Sequence, residues 1–212
     1  MLPRRQTREE EIANSFSHGL GFLISLVIGP ILILDAQKQS DAFYFAGCCI
    51  FVATMAFLYL TSSIYHALPF GPAKQRFLII EHSAIFLLIA GTYTPFTLGV
   101  LKGFWGWTVL GLVWSIAAVG VGLKVFQKIP NVVVSTTLYV AMGWLILIAI
   151  NPLVARISPH GLQLLLAGGI AYTVGVIFFA TDSRLRFGHF IWHLFVLAGT
   201  GFHYFAVLWY GA

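Results

Sequence analysis

The sequence predicts an all-α integral membrane protein, a seven-transmembrane helix bundle that forms one domain over residues 1–212. Of the 212 residues, 59% are hydrophobic and only 9% are charged. A typical soluble domain has roughly a quarter of its residues charged, because its surface must face water. The mean hydropathy of +0.89 holds over the whole chain and leaves no room for a separate soluble domain.

Charged or proline-containing breaks divide the chain into seven apolar runs. A transmembrane helix needs about 20 mostly apolar residues. In chain order, the predicted spans lie near residues 16–35, 42–66, 77–99, 103–124, 131–151, 161–181 and 188–210. The first run follows a polar segment and has no small-residue cleavage site after it, so we interpret it as a retained helix rather than a signal peptide. The loops are short, so function must reside inside the bundle or at its two faces.

The basic residues predict the orientation of the bundle, because short loops rich in Lys and Arg stay in the cytoplasm. With the N-terminus inside, nine basic residues lie on the cytoplasmic side and three outside. The nine are Arg4, Arg5, Arg8, Lys74, Arg76, Lys124, Lys128, Arg184 and Arg186; the three are Lys38, Lys102 and Arg156. We therefore expect a cytoplasmic N-terminus and an external C-terminus. Topology and contact with anionic lipid headgroups account for the net charge of +5, without nucleic acid as a partner.

Few ionisable or reactive polar groups lie within the predicted spans, where such groups are costly and mark functional sites. They are His18, Ser62, His66, Glu81, His82, His189, His193 and His203. With the predicted topology, all of them except His203 fall in the cytoplasmic part of the bilayer. These cytoplasmic-side groups form a predicted cluster. His203 lies about 21 Å beyond His189 along a helix, so we expect it to be a packed histidine outside this cluster.

The spacing of these cytoplasmic-side residues along their helices suggests that they bind a metal ion. His189 and His193 are four residues apart and share one helix face, as do Ser62 and His66. A histidine pair in this relation can clamp a zinc ion, and a third histidine from a facing helix would leave the fourth position for water, as in catalytic zinc sites. Glu81 is then available as a base. The alternative is that each histidine only extends its polar tip to the lipid headgroups.

Glu11, Asn14 and His18 share one face of the helix that leads into the first span. In one interpretation their role is structural, because a glutamate near a helix start complements the helix dipole and an asparagine can cap the helix. In the other, they support or gate the histidine cluster. The sequence leaves both interpretations open.

Four motifs together resemble the hemolysin III family, the bacterial branch of the progestin and adiponectin receptor superfamily, over essentially the whole chain. They are Glu11-x-x-Asn14-x-x-x-His18, Ser62-x-x-x-His66, the stretch EHSAIFLLIAGTYTPF from Glu81 to Phe96, and His189-x-x-x-His193. The resemblance implies a seven-helix, multi-pass protein of the bacterial inner membrane with an inside N-terminus. It also implies a zinc ion bound near the cytoplasmic side.

The resemblance also implies roles for individual residues. His66, His189 and His193 would be the zinc ligands, Glu81 would hold the metal-bound water, and Ser62 would support the site without binding the metal itself. The superfamily usually has Asp at position 81. The additional methylene of Glu81 could let the carboxylate reach the metal directly or could shift the water that it holds.

Three functions are consistent with these features. The first is a metal-dependent hydrolase of lipid amides or esters, similar to the ceramidase activity attributed to the superfamily, with a lipid-like substrate drawn from the membrane. The second is a pore-forming cytolysin, as the family name implies, although the spans contain almost no charge that could line a pore outside the cluster. The third is a non-catalytic sensor or regulator of membrane state in which zinc ties helices together. The oligomeric state is left open.

Overall fold

The computed structural model describes residues 6–128 and 132–212, and all of their regular elements are helices. They are α1 (Arg8–Lys38), α2 (Ala42–Ala67), α3 (Pro72–Leu98), α4 (Phe104–Val125), α5 (Val132–Gly143), α6 (Ile150–Val154), α7 (Pro159–Thr181) and α8 (Gly188–Tyr210). A 3-10 segment, Leu145–Ala149, joins α5 to α6 within the fifth span. The described residues thus contain seven segments long and apolar enough to cross a membrane, which confirms the predicted fold class. Arg4, Arg5 and the first residue of the predicted span 131–151 lie outside the described residues.

Helix α1 begins well before the apolar run at 16–35. Thr7 caps it through a capping box, in which the Thr7 hydroxyl accepts the Glu10 backbone N–H and the Glu10 carboxylate accepts the Thr7 backbone N–H. The interpretation of Asn14 as a cap is therefore wrong, because Asn14 lies within the helix. The early start places the polar residues before the apolar run on a helix, where they reach neighbouring helices.

Helix α3 also begins earlier than its apolar run. Pro72 stands in its first turn, where a proline is favourable because the N–H that it lacks would have no helical partner. This early start puts Lys74 on the helix, and its side chain is buried against the end of α2.

Close packing holds the bundle together around α3. Helix α2 packs against α1 and α3, α3 also packs against α4, and α8 packs against α7 and α1. Gly47 on α2 permits a close approach to α3, since a Cβ there would lie 2.8 Å from the Cα of Pro95. On the outside of the bundle, Phe16, Val27 and Leu34 are 70%, 65% and 59% exposed, as expected of a surface that contacts lipid.

The fifth span is not one unbroken α-helix. Pro152 cannot donate a backbone hydrogen bond, and its ring would clash with the carbonyl of residue 148 in a regular α-helix. The Tyr93 hydroxyl compensates for the break: it donates to Met142 O at 2.9 Å or Gly143 O at 2.7 Å and accepts from Ile146 N at 3.1 Å. Such a partner matters because unpaired backbone groups are very costly inside a bilayer.

Candidate metal centre

Four side chains from α2, α3 and α8 converge at the end of the bundle where α1, α3 and α8 begin and α2 ends. They are His66, Glu81, His189 and His193, and one ligand atom from each lies within 4.8 Å of all the others. His66, Glu81 and His193 are only 4%, 6% and 1% exposed. Ligands at about 2 Å from a tetrahedral zinc ion are about 3.3 Å apart, so small side-chain movements would suffice to close this group on one ion.

His66 is held by an ion-paired carboxylate on α1. Glu11 Oε2 accepts a hydrogen bond from His66 Nδ1 at 2.7 Å, and Glu11 Oε1 lies 3.0 Å from Lys74 Nζ. With Nδ1 as the donor, His66 Nε2 is the nitrogen with the free lone pair. This Nε2 is buried, has no hydrogen-bond partner among the described residues, and lies 3.5 Å from Glu81 Oε1. Glu11 therefore contacts the cluster directly.

The two histidines of α8 are oriented in the same way. His189 Nδ1 lies 3.0 Å from Asp182 Oδ2, in the segment between α7 and α8. His193 Nδ1 lies 3.0 Å from Ser17 Oγ and 3.2 Å from the backbone oxygen of Asn14, both on α1. With each Nδ1 bonded to an oxygen, the Nε2 atoms of both histidines are left for a metal.

Glu81 is held by Ser62. Ser62 Oγ donates to Glu81 Oε1 at 2.6 Å, and Ser62 is completely buried. The contact joins α2 to α3 beside the histidines. It fixes one carboxylate oxygen and leaves Glu81 Oε2 available for another partner.

The other candidate residues lie around this group. His18 is buried and stacks on His193 with 3.6 Å between ring centroids and 4° between ring planes. Asn14 Nδ2 lies 3.5 Å from His66 Nδ1. His82 instead faces Lys124, with 3.5 Å between His82 Nδ1 and Lys124 Nζ. As expected, His203 is not in the cluster, and its Nε2 donates to the backbone oxygen of Leu165 at 3.2 Å.

Sequence reasoning missed Lys74, Asp182 and Ser17. Lys74 was assigned only to topology, although it is 5% exposed and pairs with Glu11. Asp182 carried a usable signal, because the chain has only seven acidic residues and this one shortly precedes His189. Ser17 carried none, since its contact depends on how α1 packs against α8.

A mainly apolar cavity begins beside this cluster and is lined by two of its members, Glu81 and His193. The polar residues His18, Ser62, Glu81 and His193 line its near end. The rest of its wall is mainly apolar and includes Leu58, Ile85, Leu88, Ile89, Val140, Trp144, Val176, Trp192 and Val196. A second apolar cavity shares six wall residues with it, among them Tyr93 and His203, and extends toward the other end of the bundle.

Comparisons with known proteins agree with this architecture. The chain is 45% identical to Hemolysin-3 of Bacillus cereus, over 99% of this chain and 95% of that protein. It is also 45% identical to the Hemolysin-3 homolog of Bacillus subtilis (strain 168), over 96% and 95%. It is 27% identical to the human Monocyte to macrophage differentiation factor, a progestin and adiponectin receptor family protein, over 96% and 85%. No solved structure gives a significant match.

The seven apolar segments and the bacterial relatives fit a multi-pass bacterial membrane protein. The family model for haemolysin-III related proteins matches residues 6–204, which is nearly the whole chain. The chain therefore belongs to the haemolysin-III related family.

Proposed function

We propose that this protein is a zinc-dependent hydrolase that cleaves the amide or ester bond of a membrane lipid. One observation carries the proposal: three histidines and one carboxylate form a group at the polar end of an apolar cavity, and two of them, Glu81 and His193, line that cavity. The polar end suits a reacting carbonyl group, and the apolar wall suits an acyl chain. Sites for small ligands have this combination of an apolar wall and a few convergent polar groups.

The residues present fit a zinc ion. Imidazole nitrogens and a carboxylate oxygen are common zinc ligands. The His66 Nε2 is buried and has no hydrogen-bond partner among the described residues. Burial of an unpaired polar atom is unfavourable, and a bound cation would give this nitrogen a partner. His66, His189 and His193 would hold the ion through Nε2. When bound, zinc polarises a carbonyl group and lowers the pKa of water.

Glu81 is the proposed general base. Because Ser62 donates to Oε1, the carboxylate is oriented and Oε2 can accept a proton from the attacking water. The water oxygen forms a bond to the carbonyl carbon, and the bond from that carbon to the leaving nitrogen or oxygen breaks. Glu81 then passes the proton to the leaving amine or alcohol. The products are a fatty acid and the rest of the lipid.

The apolar cavity would accept an acyl chain through van der Waals contacts. A chain that enters from the bilayer leaves one apolar environment for another, so its methylene groups gain little from the hydrophobic effect, and the fit of the chain to the wall would set the preferred length. His18 and Trp192, which line the cavity near its polar end, would contact the first part of the chain.

The test is release of fatty acid from ceramide or a related lipid by the purified, zinc-loaded protein. Glu81→Gln should abolish release, because the amide cannot take up the proton. Glu9→Gln is the matched control, since Glu9 is an exposed acidic residue at the start of α1. Equal rates in Glu81→Gln and the wild type would contradict the role of Glu81. If no lipid amide or ester is cleaved by fully loaded protein, the hydrolase proposal fails.

A non-catalytic sensor is the second candidate, and one distance favours it. Glu81 Oε1 lies 3.5 Å from His66 Nε2, close to the separation of two ligands on one zinc ion. If Glu81 ligates directly, four protein ligands would close the site, as in structural zinc sites. The sensor then predicts that Glu81→Gln binds zinc much more weakly, whereas the hydrolase predicts that it keeps the metal and loses turnover.

The cytolysin proposal is tested separately by leakage of dye from lipid vesicles that contain the protein. Beyond its polar end the cavity is mainly apolar, which does not favour passage of ions. The hydrolase predicts no leakage above that of empty vesicles. Leakage that is unchanged in Glu81→Gln would support the pore instead.

We also propose that the metal centre faces the cytoplasm. The described basic residues Arg8, Lys74, Lys124 and Arg184 lie in or beside the helix ends at the metal centre. Short basic segments stay in the cytoplasm. In a variant that lacks Cys48 and Cys49, the thiol of Arg184→Cys should be protected from an impermeant thiol reagent in intact cells, whereas that of Arg156→Cys should react. The reverse pattern would overturn this orientation.

A further inference from the structure

Glu10 links the start of α1 to the start of α8. It is only 2% exposed although it is an acidic residue in the first turn of a helix. One carboxylate oxygen, Oε2, accepts the backbone N–H of Thr7 at 2.8 Å and completes the capping box. The other, Oε1, accepts the backbone N–H of Phe187 at 2.8 Å. The same carboxylate therefore binds the first residues of two helices.

Helix α8 has no side-chain cap of its own. Phe187 stands at the N-cap position with a φ of 58°, in the left-handed region that non-glycine residues rarely adopt. Its side chain cannot accept the free N–H groups of the first turn. The Glu10 carboxylate, which comes from another helix, binds Phe187 at this point and adds a negative charge beside the positive end of the α8 dipole.

The position of α8 matters because His189 and His193 lie in its first two turns. Glu11, the next residue of α1, contacts two other helices: its carboxylate binds His66 on α2 and Lys74 on α3. Two consecutive acidic residues of α1 thus contact the starts or ends of three other helices, each of which contributes to the metal centre. Glu11 acts on a histidine directly, whereas Glu10 acts through the backbone of α8.

We propose that Glu10 is a positioning residue, which holds the start of α8 so that His189 and His193 meet His66 at the correct distance for one metal ion. This inference rests on the proposed metal site. Loss of a group that orients metal ligands typically weakens metal affinity about 10- to 100-fold. Since the bond from Glu10 to α8 is made to the backbone N–H of Phe187, we expect Glu10→Ala to weaken zinc affinity about tenfold, at the lower end of that range.

The experiment measures zinc affinity of the full chain in detergent by competition with a chelator, and also the visible absorption spectrum of the cobalt-loaded protein. Glu10→Ala should bind zinc about tenfold more weakly and show a changed cobalt spectrum, which reports ligand geometry. Thr7→Ala is the matched control, because it removes the hydroxyl of the capping box but leaves the contact between Glu10 and Phe187. It should keep wild-type affinity and spectrum.

Glu10→Gln keeps an oxygen that can accept the Phe187 N–H, so it should bind zinc more tightly than Glu10→Ala. If Glu10→Ala fails to fold, Glu10→Asp takes its place, because the shorter side chain draws the carboxylate back from the Phe187 N–H. Weaker zinc binding in Glu10→Asp than in Glu10→Gln would support the inference, and equal affinity in the two would overturn it. Wild-type affinity and spectrum in Glu10→Ala would overturn it. If the wild type itself binds no zinc, the proposed metal function fails, which is a different result.

Discussion

Glu11 on α1 and His66 on α2 are 2.7 Å apart, measured from Glu11 Oε2 to His66 Nδ1. The pair assigns the hydrogen of His66 to Nδ1 and turns the free Nε2 toward Glu81 and the histidines of α8. A carboxylate behind a histidine is the usual partner of a metal ligand in proteins. The same contact explains why a polar helical segment precedes the first apolar run.

The first prediction follows from this contact. Glu11→Gln should weaken zinc affinity about 10- to 100-fold, because the carboxylate that orients His66 and makes it more basic is lost. Glu9→Gln, in the same turn but exposed, should have no effect. Chelator competition on purified protein measures both. Equal affinity in the two variants would show that Glu11 does not support the site.

The second prediction concerns packing of α2 against α3. Gly47→Ala should lower the free energy of unfolding by about 1–3 kcal/mol, since its Cβ would lie 2.8 Å from the Pro95 backbone, which cannot easily move. Gly111→Ala on α4 is the control, because nothing lies within 4 Å of the new methyl group. Thermal unfolding in detergent should show a lower Tm only for Gly47→Ala. A wild-type Tm in that variant would contradict the packing.

The third prediction concerns the break in the fifth span. Tyr93→Phe removes the hydroxyl that accepts from Ile146 N and donates to the carbonyls at the end of α5. Loss of such a partner costs about 1–3 kcal/mol for a buried group. We expect a lower Tm and faster hydrogen exchange near residue 146. Unchanged exchange at that position would mean that the break is stabilised by other groups.

The fourth prediction is a dependence of stability on pH outside the spans. The hydrogen bond from Lys102, with further bonds from backbone N–H groups of α2, lowers the pKa of Asp41 below its usual range. A lowered folded pKa means that this stabilisation is present above the ordinary carboxyl pKa and is lost as the pH falls through the folded value. Asp41→Asn keeps an N-cap for α2 but loses the charge.

The Tm of Asp41→Asn should therefore fall less than that of the wild type between neutral pH and about pH 3. Added salt should reduce the difference between the two proteins at neutral pH, because the ion pair is partly exposed. Parallel pH profiles would show that the Asp41 charge contributes nothing measurable to folding.

Much of the fold and part of the site followed from simple patterns. Hydropathy and charge identified seven spans, because a bilayer admits few other solutions for so apolar a chain. The spacing of His189 and His193, together with antiparallel topology, predicted that they would meet His66 and Glu81, and the structure brings all four together.

Other features depend on tertiary contacts that spacing does not encode. The contact of His193 with Ser17 requires the packing of α1 against α8, and that of His189 with Asp182 requires the turn between α7 and α8. Thr7 and Glu10 encode the early start of α1 through their capping box, whereas hydropathy marks only the later, apolar part of the helix. The break in the fifth span had a signal in Pro152, whereas its partner Tyr93 lies on a distant part of the chain.

The most direct test of the metal centre is elemental analysis of the purified protein and of two histidine variants on the same helix. The wild type should contain close to one zinc ion per chain, and His193→Ala should contain almost none. His203→Ala should keep the metal, since His203 also lies on α8 but outside the cluster. A wild type without metal, or equal metal in the wild type and His193→Ala, would contradict the account.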